Sequence, residues 1–305
     1  MNSESSRLRS IGTTSSDIGA IWAGALLVVY LAATQILLFV GHSRVPPTGI
    51  ALHAALLIAV AAATWLEGVP RWLRAWAPLF ALLFLYSELP LLIRAAGHQG
   101  SFDGIVVRWE QTLFGGQPSL QWAARWPSRL LSELLHATYL SYYGIIFAVP
   151  AGLYFSGRRA EFSGAVFALM LVFVVCFISY IAFPVAGPRY LWVSPANASG
   201  GVIRSATLWL LEARSSRGTA FPSSHVAVSV TQSILAYRYF GRKGLIIAVV
   251  SLGLTLGAIY GGFHYAIDVL AGAFVGAFVT LVALAASARL TTAPGQANAN
   301  APTYP

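Results

Sequence analysis

Charge is the scarcest property of this chain. Only 10% of its 305 residues are Asp, Glu, Lys or Arg, where an ordinary soluble domain carries about a quarter. Lysine is nearly absent, Lys243 standing alone beside 18 arginines. Cysteine occurs once, at Cys176 inside an apolar run. An internal disulfide is therefore impossible, a disulfide-stapled secreted fold is excluded, and Cys176 reads as a small core residue. What fills the chain instead is apolar: 57% hydrophobic residues and a mean hydropathy of +0.70. That composition excludes a soluble enzyme and a disordered protein. The net charge of +9 comes in short basic clusters between apolar runs. Such clusters set membrane topology and meet anionic headgroups, so no nucleic-acid partner is expected.

Apolar runs of about bilayer length recur at 18–41, 49–66, 77–94, 134–156, 162–184, 223–240, 244–263 and 265–288. They predict an all-α, polytopic membrane helix bundle of about eight spans. The first run is longer than a signal-peptide core and has no small-residue cleavage site after it, so it is read as a retained span. Five regions follow: a disordered tail at 1–17, three accessory spans at 18–94, an interfacial segment at 95–133, a membrane core at 134–288 and a disordered tail at 289–305. Arginine placement orients the bundle. Arg7 and Arg9, Arg71 and Arg74, Arg158 and Arg159, the Arg238, Arg242 and Lys243 group and Arg289 fall on one side, and the short loop 42–48 opposite holds only Arg44. Both termini are thus expected in the cytoplasm of a bacterial cell, the protein lying in its inner or plasma membrane.

The segment 95–133 is too polar to span. Trp109, Trp122 and Trp126 alternate with Arg108, Arg125 and Arg129, a composition suited to helices at headgroup level. Two readings stand for it, a lipid-facing collar or a lid over a lipid substrate.

Two polar strings interrupt the apolar background: Phe221-Pro222-Ser223-Ser224-His225 and His264-Tyr265-Ala266-Ile267-Asp268. About two membrane crossings separate His225 from His264, so both reach the same face, the outer one by the arginine rule. Pro222 with Ser223 or Ser224 suits a helix start, whose free amides can seat a phosphate. His264 and Asp268 are four apart and share a helical face, so the carboxylate can take one imidazole proton and leave the other nitrogen nucleophilic. Arg189 follows the fifth span on the same side and can bind phosphate oxygens bidentately.

In order and setting these strings resemble the type 2 phosphatidic acid phosphatase superfamily, whose signature is a basic motif, a Pro-Ser-x-His motif and a His-x-x-x-Asp motif. The core resemblance covers about 183–275. It implies that His264 is the nucleophile and becomes phosphohistidine, that Asp268 orients it, and that His225 is the general acid. Ser223 and Ser224 would lie near the phosphate, the catalytic core would occupy the last five spans, and neither metal nor cofactor is implied. The stretch from Trp109-Glu110 to Pro118 and the Tyr139, Tyr142, Tyr143 run also look like the branch containing inositol phosphorylceramide synthases. Two of the family's usual cations are missing: Ala182 stands where its Lys falls, and Ala258 where a second Arg falls. Pro188 also precedes Arg189 where the family has Pro after it. Arg204, Arg214 and Arg217 are candidate replacements, Arg217 first because it lies eight residues before His225.

Two functions remain open, headgroup transfer between lipid phosphodiesters and hydrolysis of lipid phosphates; a transporter is the remote third. The expected partner is a phosphorylated membrane lipid, with a lipid alcohol as acceptor for transfer. Glu88 inside an apolar span requires a polar contact or a cavity. His53 reads as a hydrogen-bonded core residue. Glu133 and His136 have only half of a di-metal spacing, and no second copy exists, so no metal is expected. Asp103 and Glu110 read as interfacial, with binding of a hydroxylated headgroup as the alternative.

Overall fold

A computed structural model describes residues 15–192 and 201–292. Arg7, Arg9 and the chain beyond Thr292 lie outside them. Helix α1 (Ser15–Val40) is followed by α2 (Pro47–Trp65) and then by a bent pair, α3 (Arg71–Ser87) and α4 (Leu89–Ala95). Two short helices occupy the interfacial segment, α5 (Asp103–Phe114) and α6 (Pro118–Arg125). A second bent pair follows, α7 (Arg129–Leu140) and α8 (Tyr142–Phe155), then the long α9 (Arg159–Ala182). After a single turn, α10 (Pro188–Leu191), and the helix α11 (Val202–Arg214), the chain closes with α12 (Ser224–Phe240), α13 (Leu245–Tyr260) and α14 (Ala266–Thr292). The described residues form an all-α bundle, as the apolar runs predict. The first helix begins at Ser15 and the last ends at Thr292, so each extends a few residues into an expected tail.

Five helical runs are long and apolar enough to cross a membrane, seven when each bent pair is one crossing. The longest run, Ser224–Tyr260, is a hairpin. Ser251 Oγ donates to the Ser229 carbonyl at 3.1 Å and Ser233 Oγ to Ser251 Oγ at 3.0 Å, so α12 and α13 lie side by side. Counting its two limbs separately turns seven into eight. The bends are 55° in the first pair and 45° in the second. Pro90, without an amide hydrogen, stands two residues after Glu88 at the first bend.

Small residues and buried amides set the spacing around the future site. A side chain on Gly272 or Gly276 of α14 would strike the backbone of Ser223 or Ala227 on α12, so these two helices touch backbone to backbone. Thr280 Oγ1 donates across the same seam to Thr231 Oγ1 at 2.9 Å. Pro150 inside α8 leaves the Ile146 carbonyl without its helical donor, and Gln232 Nε2 of α12 supplies one. A freed carbonyl in an apolar bundle needs such a partner.

In the accessory spans, His53 and Glu88 are one structural unit. His53 Nδ1 lies 2.8 Å from Glu88 Oε2, while its Nε2 faces Leu31 O at 3.0 Å and Thr34 Oγ1 at 3.1 Å. Thr34 Oγ1 already donates to Tyr30 O, so both acceptors at Nε2 require a proton there. A single further proton is shared between Nδ1 and the carboxylate, and the pair is neutral overall. One imidazole thereby ties α1, α2 and the α3–α4 bend, and Glu88 has the structural contact that its position demanded. His53→Leu leaves that carboxylate unpaired and should cost about 3 kcal/mol. The double variant His53→Leu/Glu88→Leu should melt at a higher temperature than His53→Leu alone, as read by thermal unfolding in detergent. A double variant that melts lower would show that the pair does not act as a unit.

Candidate active site

The ends of α12 and α13 bring the two polar strings together. At the C-terminus of α13, Phe263 and His264 both donate their amides to the Ala258 carbonyl, and Gly262 takes the positive φ of +69° that turns the chain. His264 is thereby placed just ahead of α14. Its Nε2 lies 3.4 Å from His225 Nδ1. Its Nδ1 faces the Ala220 carbonyl at 3.1 Å and Asp268 Oδ2 at 3.7 Å. The backbone carbonyl is therefore the nearer acceptor, with the expected carboxylate behind it. Both acceptors favour the tautomer with hydrogen on Nδ1 and a lone pair on Nε2. His264 is 4% exposed and Asp268 fully buried. Burial drives the His264 imidazole down to about 4, the Arg189 charge adds to this, and the bond to Ala220 opposes it.

The start of α12 differs from the open phosphate seat that its sequence suggested. Ser223 is the N-cap, its Oγ accepting from Val226 N at 3.4 Å. Its own amide donates to the Asp268 backbone carbonyl at 3.0 Å. The Ser224 amide donates to Tyr180 Oη at 3.1 Å, and that hydroxyl donates to Pro222 O at 2.9 Å. Three of these amides are thus spent on the protein itself, because Tyr180 of α9 and the α14 backbone close over the turn. The side chains of Ser223 and Ser224 are buried with them. His225 is held by rings from either side of the α7–α8 bend: Tyr139 stacks on it at 5.0 Å, and Tyr142 meets it at a tilt, 4.2 Å between centroids.

Arg189 projects from the turn after α9. Its Nη2 donates to Tyr190 Oη at 2.8 Å and to Leu211 O at 3.2 Å. Arg217, an exposed residue, packs on the same Tyr190 ring, with the two guanidinium carbons 4.6 and 4.7 Å from its centroid. Arg204 instead stands at the start of α11, where its amide and that of Ile203 donate to the two Glu133 oxygens at 3.0 Å each. The Arg214 side chain lies outside the described residues. A cavity of about 350 Å³ opens beside these groups, walled by Arg189, Tyr190, Glu212, Tyr260, Phe263 and Ser119. The Ser119 hydroxyl is buried there and has no partner among the described residues.

The least expected feature is α5. Asp103 and Glu110, expected at the interface, are buried within the protein, 3% and 0% exposed. Asp103 accepts from Ala186 N at 2.8 Å, from Gly187 N at 2.9 Å and from Tyr265 Oη at 2.9 Å. It thereby joins the turn before Arg189 to the residue after His264. Glu110 Oε1 accepts from Ala266 N at 2.6 Å, at the first residue of α14. Burial pushes the Glu110 carboxyl up to about 7; the Asp268 charge adds to the shift and the Ala266 amide resists it. On the apolar side of α5, Phe102 and Trp109 stack on Phe183 at 4.5 and 5.8 Å. One part of a segment expected at headgroup level is therefore packed against the turns that carry Arg189 and His264, while Leu113, Phe114 and Trp126 remain exposed. Glu133 likewise caps a helix, and His136 bonds back to Ser132 O at 2.6 Å. Among the described residues no three His, Cys, Asp or Glu are grouped to hold a metal.

Fold and site together define a polytopic membrane protein with two facing imidazoles, a buried carboxylate and a guanidinium at one end of the bundle. A family model described as the PAP2 superfamily matches residues 105–284, and the chain belongs to that superfamily. Membership makes it a phosphatase-type enzyme of the membrane, phosphatase or phosphotransferase. The match begins within α5, well before the 183–275 core that the motifs marked. Neither a search of curated proteins nor a search of solved structures found a match.

If Glu110 acts by capping α14, an uncharged acceptor suffices. Glu110→Gln should keep aryl phosphate turnover within about threefold of wild type, and Glu110→Ala should lose about tenfold or more. Equal losses in both variants would point to the charge instead of the cap.

Proposed function

We propose that this protein is a metal-independent membrane phosphotransferase that moves the phosphodiester headgroup of a lipid through a phosphohistidine at His264. The observation that carries the reading is the placement of His264, its Nδ1 engaged by Ala220 and its Nε2 turned toward His225. In the first step Nε2 attacks phosphorus, the bond to the leaving oxygen breaks, and His225 protonates that oxygen. In the second step an alcohol attacks the phosphohistidine, His225 takes its proton, and the N–P bond breaks. Asp268 stabilises the charge that the attacking imidazole acquires. Arg189, with Arg217 beside it, compensates the phosphoryl oxygens.

Charge favours the diester. A phosphomonoester near neutral pH is largely dianionic, whereas a diester carries one negative charge and needs less compensation. Ala182 and Ala258 leave this site without two cations. The cavity beside Arg189 seats the headgroup, since its wall carries the Arg189 guanidinium, Tyr190 and the Glu212 carboxylate, while the acyl chains stay in the bilayer. Transfer also requires that water be kept from the intermediate, and the rings of α5 with the burial of His264 supply that cover. By the placement of its arginines, the site lies on the extracytoplasmic face.

His264→Ala should abolish turnover and any acid-labile phosphoenzyme. His225→Ala should slow poor leaving groups far more than an activated aryl phosphate, because general acid help matters most for a basic leaving oxygen. Asp268→Asn should fold and lose orders of magnitude in rate. A neutral imidazole is the attacking form, so the acid limb attributable to His264 should fall near pH 4. Unchanged turnover in His264→Ala would sink the mechanism.

Transfer is read as a partition ratio. With a phosphodiester lipid donor and a lipid alcohol acceptor, diester product should exceed free phosphorylated headgroup. Rapid release of inorganic phosphate from phosphatidic acid or a prenyl phosphate, indifferent to added alcohol, would make the protein a lipid phosphate phosphatase.

Sidedness needs single cysteines. In a Cys176→Ser background, Glu212→Cys should react with an impermeant reagent from outside the cell and Arg159→Cys should not. The reverse pattern would place the site on the cytoplasmic face.

A further inference from the structure

The family match begins at residue 105 and leaves the accessory helices without a role. One contact of theirs with the site runs through the bent pair α3–α4. Just before the bend, Tyr86 Oη lies 3.3 Å from Thr219 Oγ1. Thr219 Oγ1 donates its hydrogen to Ser216 O at 2.8 Å, so Tyr86 is the donor to Thr219. Just after the bend, Ile93 fills the space over Gly218, where a Cβ would come within 2.7 Å of its Cδ1 and where φ is +93°. The segment 216–220 is thus gripped on one flank by both limbs of a bent helix.

Its other flank is the site. Val185 N donates to Gly218 O at 3.3 Å and Ala220 N to Val185 O at 2.9 Å, a short parallel pairing centred on Thr219. The Ala220 carbonyl is then presented to His264 Nδ1 at 3.1 Å, closer than the Asp268 carboxylate at 3.7 Å. Thr219 is 7% exposed, so loss of its donor leaves a buried oxygen underused. The bend itself is held by Glu88 and His53, which share a proton between α2 and the turn.

We infer that the bent pair α3–α4 is a positioning element for the nucleophile: Tyr86, acting through Thr219, holds the Ala220 carbonyl where it keeps hydrogen on Nδ1 of His264 and the lone pair on Nε2. The inference rests on the reading of His264 as nucleophile. The side-chain hydrogen bonds of Tyr86 and Thr219 go to each other and to Ser216, not to His264 or His225. With the carbonyl displaced, the imidazole redistributes toward the other tautomer, in which Nε2 carries hydrogen and cannot attack. The cost falls on kcat, because substrate binding is untouched.

The test uses the full chain in lipid nanodiscs, with an activated aryl phosphate as substrate. Tyr86→Phe removes one oxygen and no other volume; Thr219→Val is its partner, and Thr219→Ser retains the hydroxyl. Each of the first two should lower kcat about tenfold with KM within about twofold. The double variant should be no worse than Thr219→Val alone, which already removes the contact to Tyr86 together with the bond to Ser216. Thr219→Ser should restore most of the rate. In histidine-selective ¹⁵N spectra, the resonances lost in His264→Ala should shift from the Nδ1–H toward the Nε2–H tautomer pattern in Tyr86→Phe. Wild-type kcat in both single variants, or a lowered kcat with those resonances unmoved, overturns the inference. A dead His264→Ala beside a fully active Tyr86→Phe removes only the positioning role, while an active His264→Ala removes the nucleophile reading itself.

Discussion

Helices that start, stop or bend inside an apolar bundle expose backbone amides that no water can reach, and the architecture of this protein follows from how it meets that constraint. Carboxylates, three of them buried, take up the amides at the places where chemistry is expected. Asp103 takes two before Arg189, Glu110 one at the start of α14, Asp268 one at Tyr265 and Glu133 two at the start of α11. For Asp103, Glu110 and Asp268, each bond spares a buried amide the cost of going unpaired, about 1–3 kcal/mol. The same acceptors also fix the direction in which each turn enters the site. Stability and positioning are one interaction here.

The bundle was legible from hydropathy because length and apolarity are local properties. The hairpin of α12 and α13 followed from the sequence distance between His225 and His264, and the structure brings their nitrogens to 3.4 Å. Other features are contacts between residues far apart in the chain. Asp103 meets Tyr265 across 162 positions, and Glu110 meets Ala266 across 156. No periodicity reports such a pair. The only trace of Glu110 in the sequence was its place beside Trp109, in a stretch that resembled one branch of the superfamily. Tyr180 was likewise hidden, since a tyrosine in an apolar helix has no spacing rule that announces its bond to the Pro222 carbonyl. The helix start at Ser223 was visible, but that its amides were already taken was not.

Polar residues in the accessory helices carry a different lesson. A glutamate in an apolar run signals that something must pair with it, and an imidazole one helix away does so. The signal identifies the need and leaves the partner open. Local sequence around His53 contains nothing acidic, so only the packing of α2 against the α3–α4 bend joins the two.

Asp103 has a consequence for how the chain can be divided. One carboxylate holds both the turn that delivers Arg189 and the tyrosine that follows His264. The smallest piece that keeps those two turns tied together therefore reaches back at least to α5. A fragment starting at α7 would retain every residue of the signature and lose the tie that keeps its two active loops in register. The signature motifs begin at about residue 183, and the contact that keeps them in register comes from α5.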